Sequence, residues 1–583
     1  MFRRKLLFVA WILLSLWALG GLIAEFGFLK YGEAEPPERL ALFHKLDICF
    51  IVFFVLTYLA FFLSSHDRVS FVRKSQIDTF LSVLSIMMLV VSDGSVFRYF
   101  MIGFKLIVGI VCLIRFFLGA VRLLNLTTPL LIAFSFLLII GIGFGLLLLP
   151  VATVSGRMNS VDALFTSASA TCVTGLTVVD TGTHLTPFGQ IVVLGLIQIG
   201  GLGLMTFVAF FSVLMGAGLS IRTDVSIGES LDLRIPVSLF SIIKFIVLST
   251  FLIEALGTVS IYFSFPFSEG TPFGRRLYFS VFHSISAFCN AGFSLLSDNM
   301  SRARSCISLN LTFIVLIIIG GFGFSVNLSL WRALLSLFRR RREALYSYRF
   351  GVQSRIVLLT SFALLALGMA FIYFGEAERS FAGFSEKEKI LASLFQSVNA
   401  RTAGFNTVNL RNFCAPVLLV IMGLMFIGAS PGSTGGGVKT TTFSLFLLAI
   451  IARLRNRENV EVYGRRIPER LISNALLILF FAVILIFLCT GLVLAFGFDK
   501  EKGGDKIGRD EDTFLRVLFE VVSAFGTVGY STGITADLST GSKIVLIMVM
   551  FIGRIGPFTL LLAMSRQAKK MRYTYPTEGI MVG

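Results

Sequence analysis

Four times along this chain a short stretch carrying Leu-Phe or Val-Phe leads, after a fixed interval, to a polar loop centred on glycine. The phenylalanines are Phe165, Phe282, Phe395 and Phe519. The glycines are Gly175, Gly292, Gly404 and Gly529, at intervals of 10, 10, 9 and 10 residues. From each loop glycine to the next Ile-Gly pair, at Gly200, Gly320, Gly428 and Gly553, the distances are 25, 28, 24 and 24 residues. Recurrence in one register identifies an internal repeat before any single motif is interpreted. Each unit also lies between long apolar segments, so four equivalent loops must be accommodated in a nonpolar surrounding.

Composition fixes what that surrounding is. Of 583 residues, 56% are hydrophobic and 14% charged, with a mean hydropathy of +0.87. That leaves too little polar surface to cover a soluble globule, and a polytopic membrane protein is expected. The formal charge of +18 does not require nucleic acid, because the basic residues fall between the apolar spans. The seven cysteines form no Cys-x-x-Cys and the four histidines are scattered, so neither a zinc site nor a disulfide framework is expected. Walker, Rossmann and nucleophile-elbow motifs are missing from the sequence, which argues against an enzyme.

The expected fold is all-α: four membrane-pore-membrane repeats around one central pore, preceded by about four extra transmembrane helices. The repeats divide the chain at 126–225, 226–345, 346–460 and 461–583, after an N-terminal prelude over 1–125. In the prelude, a basic start and an apolar run to about residue 28 read as a first span, followed by spans at 46–64, 77–91 and 97–119. Asp78, Arg98, Lys105, Arg115 and Arg122 faintly suggest a voltage sensor. Their basic spacings of 7, 10 and 7 miss the every-third-residue pattern, and snorkelling or end-anchoring explains them. Outer spans are expected at 129–150, 238–265, 356–374 and 471–496, and inner spans at 188–214, 306–330, 415–452 and 543–564. The intervening stretch 161–170 is too short to cross and must dip in and return. Its C-terminal carbonyls then present partial negative charge to the centre, which favours a cation.

Basic loops set the orientation. Arg339 to Arg342 with Arg349 and Arg355, the cluster from Arg453 to Arg470, and the tail with Arg566, Lys569, Lys570 and Arg572 place both termini in the cytoplasm and the loops toward the outer face.

The loops supply the candidate site. Thr527-Val528-Gly529-Tyr530 can line a narrow pore with backbone carbonyls that replace an ion's water. The other sides are expected from Val173-Thr174-Gly175, Asn290-Ala291-Gly292 and Thr402-Ala403-Gly404. Beyond the glycines lie Asp180, Asp298 and Asp537, with Asn409 in the third loop; they read either as a cation-concentrating mouth or as solvated loop acids. The third inner span is interrupted by the run from Gly428 to Thr440, with Pro431, Gly432, Ser433, Thr434, Gly435, Gly436, Gly437 and Lys439. It reads as an intramembrane plug, since the spacing and context of a phosphate loop are missing. Arg554 lies at the equivalent place in the fourth inner span, costly in hydrocarbon, and reads as a pore-facing barrier holding the plug or as a clamp between helices. Glu254, also intramembrane, reads as an interhelical hydrogen-bonding group.

The four loops, Ala400-Arg401-Thr402-Ala403-Gly404-Phe405-Asn406-Thr407, the run 430–442, Arg554 and the final Tyr575-Pro576 to Gly583 resemble the Trk/Ktr potassium uptake family over roughly residues 129–583. The resemblance implies the membrane subunit of a potassium uptake system in the cell membrane. It implies K⁺ as substrate at the filter residues above, a gating loop with Arg554, and no covalently bound cofactor. It also implies a homodimer on cytosolic TrkA/KtrA-like nucleotide-binding regulatory subunits, which alone would carry nucleotide; no nucleic-acid partner is implied. Only the fourth loop is close to the potassium-channel signature, the first two carry Cys172 and Cys289, and the prelude departs from the family plan. A sodium- or proton-coupled potassium symporter is the alternative, although alternating access favours inverted repeats and these share one orientation.

Overall fold

Backbone amides in hydrocarbon have only their own chain to bond, so a sequence this apolar is driven into helices. The computed structural model describes residues 128–203, 239–338, 351–499 and 512–556, with 37–63, 79–85 and scattered positions within 14–24 and 100–109. Outside the described residues lie most of the first expected span, the basic runs 67–74, 115–122 and 339–342, the ends of the inner spans 188–214 and 543–564, and the whole tail. Asp78, Arg98, Arg115 and Arg122 lie there too.

Helix α1 (Pro37–Leu63) belongs to the prelude. Then follow α2 (Thr128–Leu147), α3 (Ser160–Thr171) and α4 (Pro187–Leu202). Next come α5 (Leu239–Ser264), α6 (Phe273–Phe288), α7 (Ile307–Phe322) and α8 (Phe324–Phe338). The third group is α9 (Val352–Glu376), α10 (Glu386–Asn399), α11 (Ala415–Phe426) and α12 (Thr440–Leu454). A two-residue hairpin, β1 (Glu461–Val462) and β2 (Arg465–Arg466), precedes α13 (Glu469–Phe496), α14 (Thr513–Gly526) and α15 (Thr540–Ile555). Among the described residues, α1, α2, α5, α9 and α13 are each long and apolar enough to span a bilayer. The short helices α3, α6, α10 and α14 have 12, 16, 14 and 14 residues. At about 1.5 Å per residue none reaches the ~30 Å of a hydrocarbon core.

Small residues let each short helix approach its long neighbour. Ser167, Ser284 and Ser397 donate to the carbonyls of Ile140, Glu254 and Leu365 at 2.7, 2.7 and 2.8 Å. Three residues further along each outer helix stands a glycine, Gly143, Gly257 or Gly368, whose Cβ would collide with that same hydroxyl. Val521 holds the corresponding place in α14, and its contact is apolar. The Ile-Gly pairs have an equally physical reason. A Cβ on Gly200, Gly320 or Gly553 would strike the carbonyl oxygen of Thr171, Phe288 or Phe525, at the end of the short helix beside it. At Gly428 the struck oxygen is that of Gly436, within the plug.

Two expectations change. The inner span 306–330 is broken rather than continuous: α7 and α8 meet at 111° across Gly323, whose φ is +82°. A side chain there would strike the Pro431 carbonyl, so the break makes room for the plug. The same offset of three residues after the packing glycine ends α4 at Gly203 and α15 at Gly556, with φ +74° and +90°. The second change is Lys105. It does not snorkel; only 2% of it is exposed, and it forms an ion pair with Asp47 of α1, beside Phe50, Phe54 and Phe104. Burial with a partner replaces the interfacial water that snorkelling would seek.

Gly553→Val should lower stability by about 1–3 kcal/mol, the usual cost of overpacking, read as a lower thermal unfolding midpoint in detergent. Gly491→Ala on α13, where a Cβ meets nothing within 4 Å, should leave that midpoint unchanged or raised.

Candidate functional site

The four short helices end in closely similar turns, closed over five residues in the first, second and fourth loops and over four in the third. The amides of Thr174, Ala291, Ala403 and Val528 donate to the carbonyls of Ser169, Ser286, Asn399 and Ser523 at 2.8, 2.8, 3.0 and 2.9 Å. Val173, Asn290, Thr402 and Thr527 have φ of 58, 60, 70 and 50°, and the glycines two residues later 88, 68, 77 and 92°. Left-handed backbone at a non-glycine residue costs of order 1–3 kcal/mol and persists only where surrounding bonds impose it. Here the same strain is imposed in all four loops.

The loops close on one another. A Cβ on Gly175 would strike the Ala291 oxygen, on Gly292 that of Ala403, on Gly404 that of Val528, and on Gly529 that of Thr174. The oxygen struck always belongs to the residue before the next loop's glycine, and the fourth returns to the first. A ring in chain order results, with backbone against backbone and no space for a side chain. On one side of it opens a cavity of about 490 Å³, bordered by all four glycines and by Asp180, Asp298 and Asn409. Asp180 also ties its own loop, accepting from the amides of Gly182 and Thr183. Asp298 accepts from Arg302 Nε at 3.1 Å, which offsets its charge. Asp537 is not on that border; its neighbour Ala536 is.

Across the ring lies the plug. A Cβ on Gly435 or Gly436 would strike the hydroxyl of Thr402 or Thr527, and Gly436 N donates to Thr527 Oγ1 at 3.0 Å. Thr434, Gly435, Gly436 and Gly437 are buried, Ser433 is half-buried and Gly432 is exposed. Lys439 Nζ folds back onto the Gly435 carbonyl at 2.8 Å. Broken inner helices leave carbonyls unpaired at their ends, and those of the four Ile-Gly glycines are all taken up. Thr434 N donates to Gly320 O and Gly437 N to Gly553 O, each at 3.3 Å. Arg401 Nη2 donates to Gly428 O at 3.4 Å, and Arg554 Nη2 to Gly200 O. Through Nη1 the same Arg554 guanidinium reaches the Thr434 carbonyl, so it joins plug and inner helix at once. Glu254 accepts from Gln198 of α4 at 3.3 Å, the interhelical bond expected.

Several site residues escaped the sequence reading. The residue after each register phenylalanine is polar, Thr166, His283, Gln396 and Glu520, and all four are buried behind the loops. Four polar residues at one register of apolar helices was a usable signal. Tyr530 of the fourth loop reaches back to Gln396 of α10, meeting both its carbonyl and its side-chain oxygen. A buried ion pair, Asp162 Oδ1 to Lys543 Nζ at 2.7 Å, joins α3 to α15, where the last repeat meets the first. Sequence separation hid it: the partners lie 381 residues apart.

Helices too short to cross a bilayer, packed beside long apolar ones and ending in a closed backbone ring, define a multi-pass membrane protein. Residues 127–573 match the family model described as TrkH, cation transport protein, and the chain belongs to that family. It is 34% identical over 466 residues to the Ktr system potassium uptake protein B of Bacillus subtilis, covering 79% of this chain and 98% of the relative. It is also 34% identical over 461 residues to the potassium/sodium uptake protein NtpJ of Enterococcus hirae, covering 78% and 96%. The crystal structure of the potassium transporter TrkH from Vibrio parahaemolyticus shares the fold, with a TM-score of 0.57 at 18% identity, covering 90% of this chain and 97% of that one.

Removing one partner of a buried pair strands the other, at about 3–5 kcal/mol. Lys543→Met should therefore destabilise the protein strongly, and adding Asp162→Asn should restore much of the loss. Thermal unfolding of the two singles and the double measures that coupling.

Proposed function

We propose that this protein takes up potassium across the cytoplasmic membrane through a channel-like pore made by four membrane-pore-membrane repeats around one axis. The observation that carries the reading is the closed ring at Gly175, Gly292, Gly404 and Gly529, where only backbone meets backbone. Such a lining replaces an ion's water by carbonyl oxygens. In this reading Val173 to Gly175, Asn290 to Gly292, Thr402 to Gly404 and Thr527 to Gly529 are the selectivity filter, and K⁺ is the cargo. Asp180, Asp298 and, one residue from the border, Asp537 enrich cations at the mouth.

The loop from Gly432 to Lys439 together with Arg554 is the gate. The bonds from Arg554 to Thr434 and Gly200 hold it shut, and the guanidinium charge opposes a cation. Gating by cytosolic nucleotide-binding subunits, a homodimeric assembly and cytoplasmic termini complete the proposal; the Ktr system name of the relative and the positive loops support them. The potassium/sodium name of another relative makes ion preference the property to measure.

The test is ion flux in proteoliposomes under an imposed voltage without a sodium or pH gradient. Potassium should follow voltage. Gly529→Ser should lose the preference for potassium over sodium, since the added side chain meets the neighbouring loop. Arg554→Ala should raise flux about tenfold or more, because hydrogen bonds to a charged group contribute ~1.5–3 kcal/mol. Flux seen only with a sodium or proton gradient would replace the pore by a symporter.

A further inference from the structure

Two of the four residues that follow the register phenylalanines do the same job. Glu520, fully buried, has its Oε1 at 2.7 Å from Ser531 Oγ and 2.8 Å from Thr532 N. Its Oε2 is 2.8 Å from Thr535 Oγ1. The Thr532 amide can only donate, and the hydroxyls of Ser531 and Thr535 donate to the ionised carboxylate as the strongest acceptor in reach. His283 is equally buried. Its Nδ1 lies 2.9 Å from the Phe279 carbonyl, which only accepts, so Nδ1 carries the hydrogen. The Leu295 amide points at Nε2 from 3.4 Å and requires a lone pair there. Nε2 is therefore an acceptor, and Ser294 Oγ stands 3.1 Å from it.

Each serine thus gives its proton inward, away from the cavity. Each also accepts one backbone amide two residues on, Leu296 N at 3.0 Å for Ser294 and Gly533 N at 2.8 Å for Ser531. Ser531 Oγ also stands 2.9 Å from Thr535 Oγ1, which leaves two hydroxyl protons for three contacts; the carboxylate is the stronger acceptor and takes both, so one hydroxyl lone pair remains on each serine. Both serines border the cavity above the glycine ring. They occupy one register, two residues past Gly292 and Gly529, and the second and fourth loops face each other across the ring. The other two repeats differ: Thr166 bonds within its own helix at 2.8 Å, and Gln396 serves Tyr530.

We propose that His283 and Glu520 are positioning residues that hold the Ser294 and Ser531 hydroxyl oxygens as acceptors toward the cavity, forming an outer site for a monovalent cation. The inference rests on the filter reading. Its oxygens come from side chains, whereas the ring below offers backbone.

Thermal unfolding of the purified full-length chain, titrated with KCl against choline chloride at constant ionic strength, tests it. Ser294→Ala and Ser531→Ala should each raise the K⁺ concentration for half-maximal stabilisation about fivefold, the equivalent of one polar contact, with the midpoint in choline alone unchanged. Glu520→Gln keeps an acceptor for Ser531 and should retain the wild-type value. His283→Phe keeps the ring without the acceptor and should match Ser294→Ala, and the double variant should shift no further. Half-saturation within twofold of wild type in both serine variants, while Gly529→Ser still alters the K⁺ response, would remove the outer site and leave the filter reading standing. If the wild type shows no K⁺-specific stabilisation, or Gly529→Ser leaves it unaltered, the filter reading falls and this inference with it.

Discussion

Four carbonyl groups, those of the Ile-Gly glycines, organise the centre of this protein. The glycines of the Ile-Gly pairs let each inner helix press against its neighbour, but three of those helices end three residues later. A helix that stops inside an apolar region leaves oxygens that no water reaches, and an unsatisfied buried group costs ~1–3 kcal/mol or more. The plug and two arginines supply the missing donors: Thr434 and Gly437 by their amides, Arg401 and Arg554 by their guanidinium groups. Glycine content and half-buried arginine are thus two sides of one requirement.

The ring of loops depends on the same economy of space. Side chains are absent where the loops meet, so the strained turns are held from outside, by short-helix carbonyls and by groups such as Tyr530, Glu520 and His283. Opposite ends of the chain are closed by the Asp162–Lys543 pair. Its geometry ties the last inner helix to the first short helix, which a ring needs and a linear array does not.

Much of this was legible in the sequence. The Phe-to-Gly interval located every short helix and loop, and the apolar runs located the outer helices to within a few residues. The interruption from Gly428 to Thr440 was visible as five glycines and a proline. What stayed hidden was relational. Gly323 looks like any glycine in an apolar run, and only the plug lying against it explains a 111° break. Lys105 looked like an end anchor because Asp47, its partner, lies on a different helix. His283 and Glu520 shared a register that hydrophobic periodicity does not weigh.

The junction of α7 with the plug has a consequence for water. The last carbonyls of α7 are served by Asn327 Nδ2 at 2.8 Å, by Thr434 N and by Ser430 N, and Phe324 N returns a bond to Gly432. In effect the plug caps a helix from another repeat. Withdrawing it would bare those oxygens, and an unsatisfied buried carbonyl draws in water where no protein donor replaces the lost one. For the gate proposed above, displacement of the loop and hydration of the passage would then be a single event: the groups that the departing loop uncovers would be those that draw in the water an ion needs to travel with.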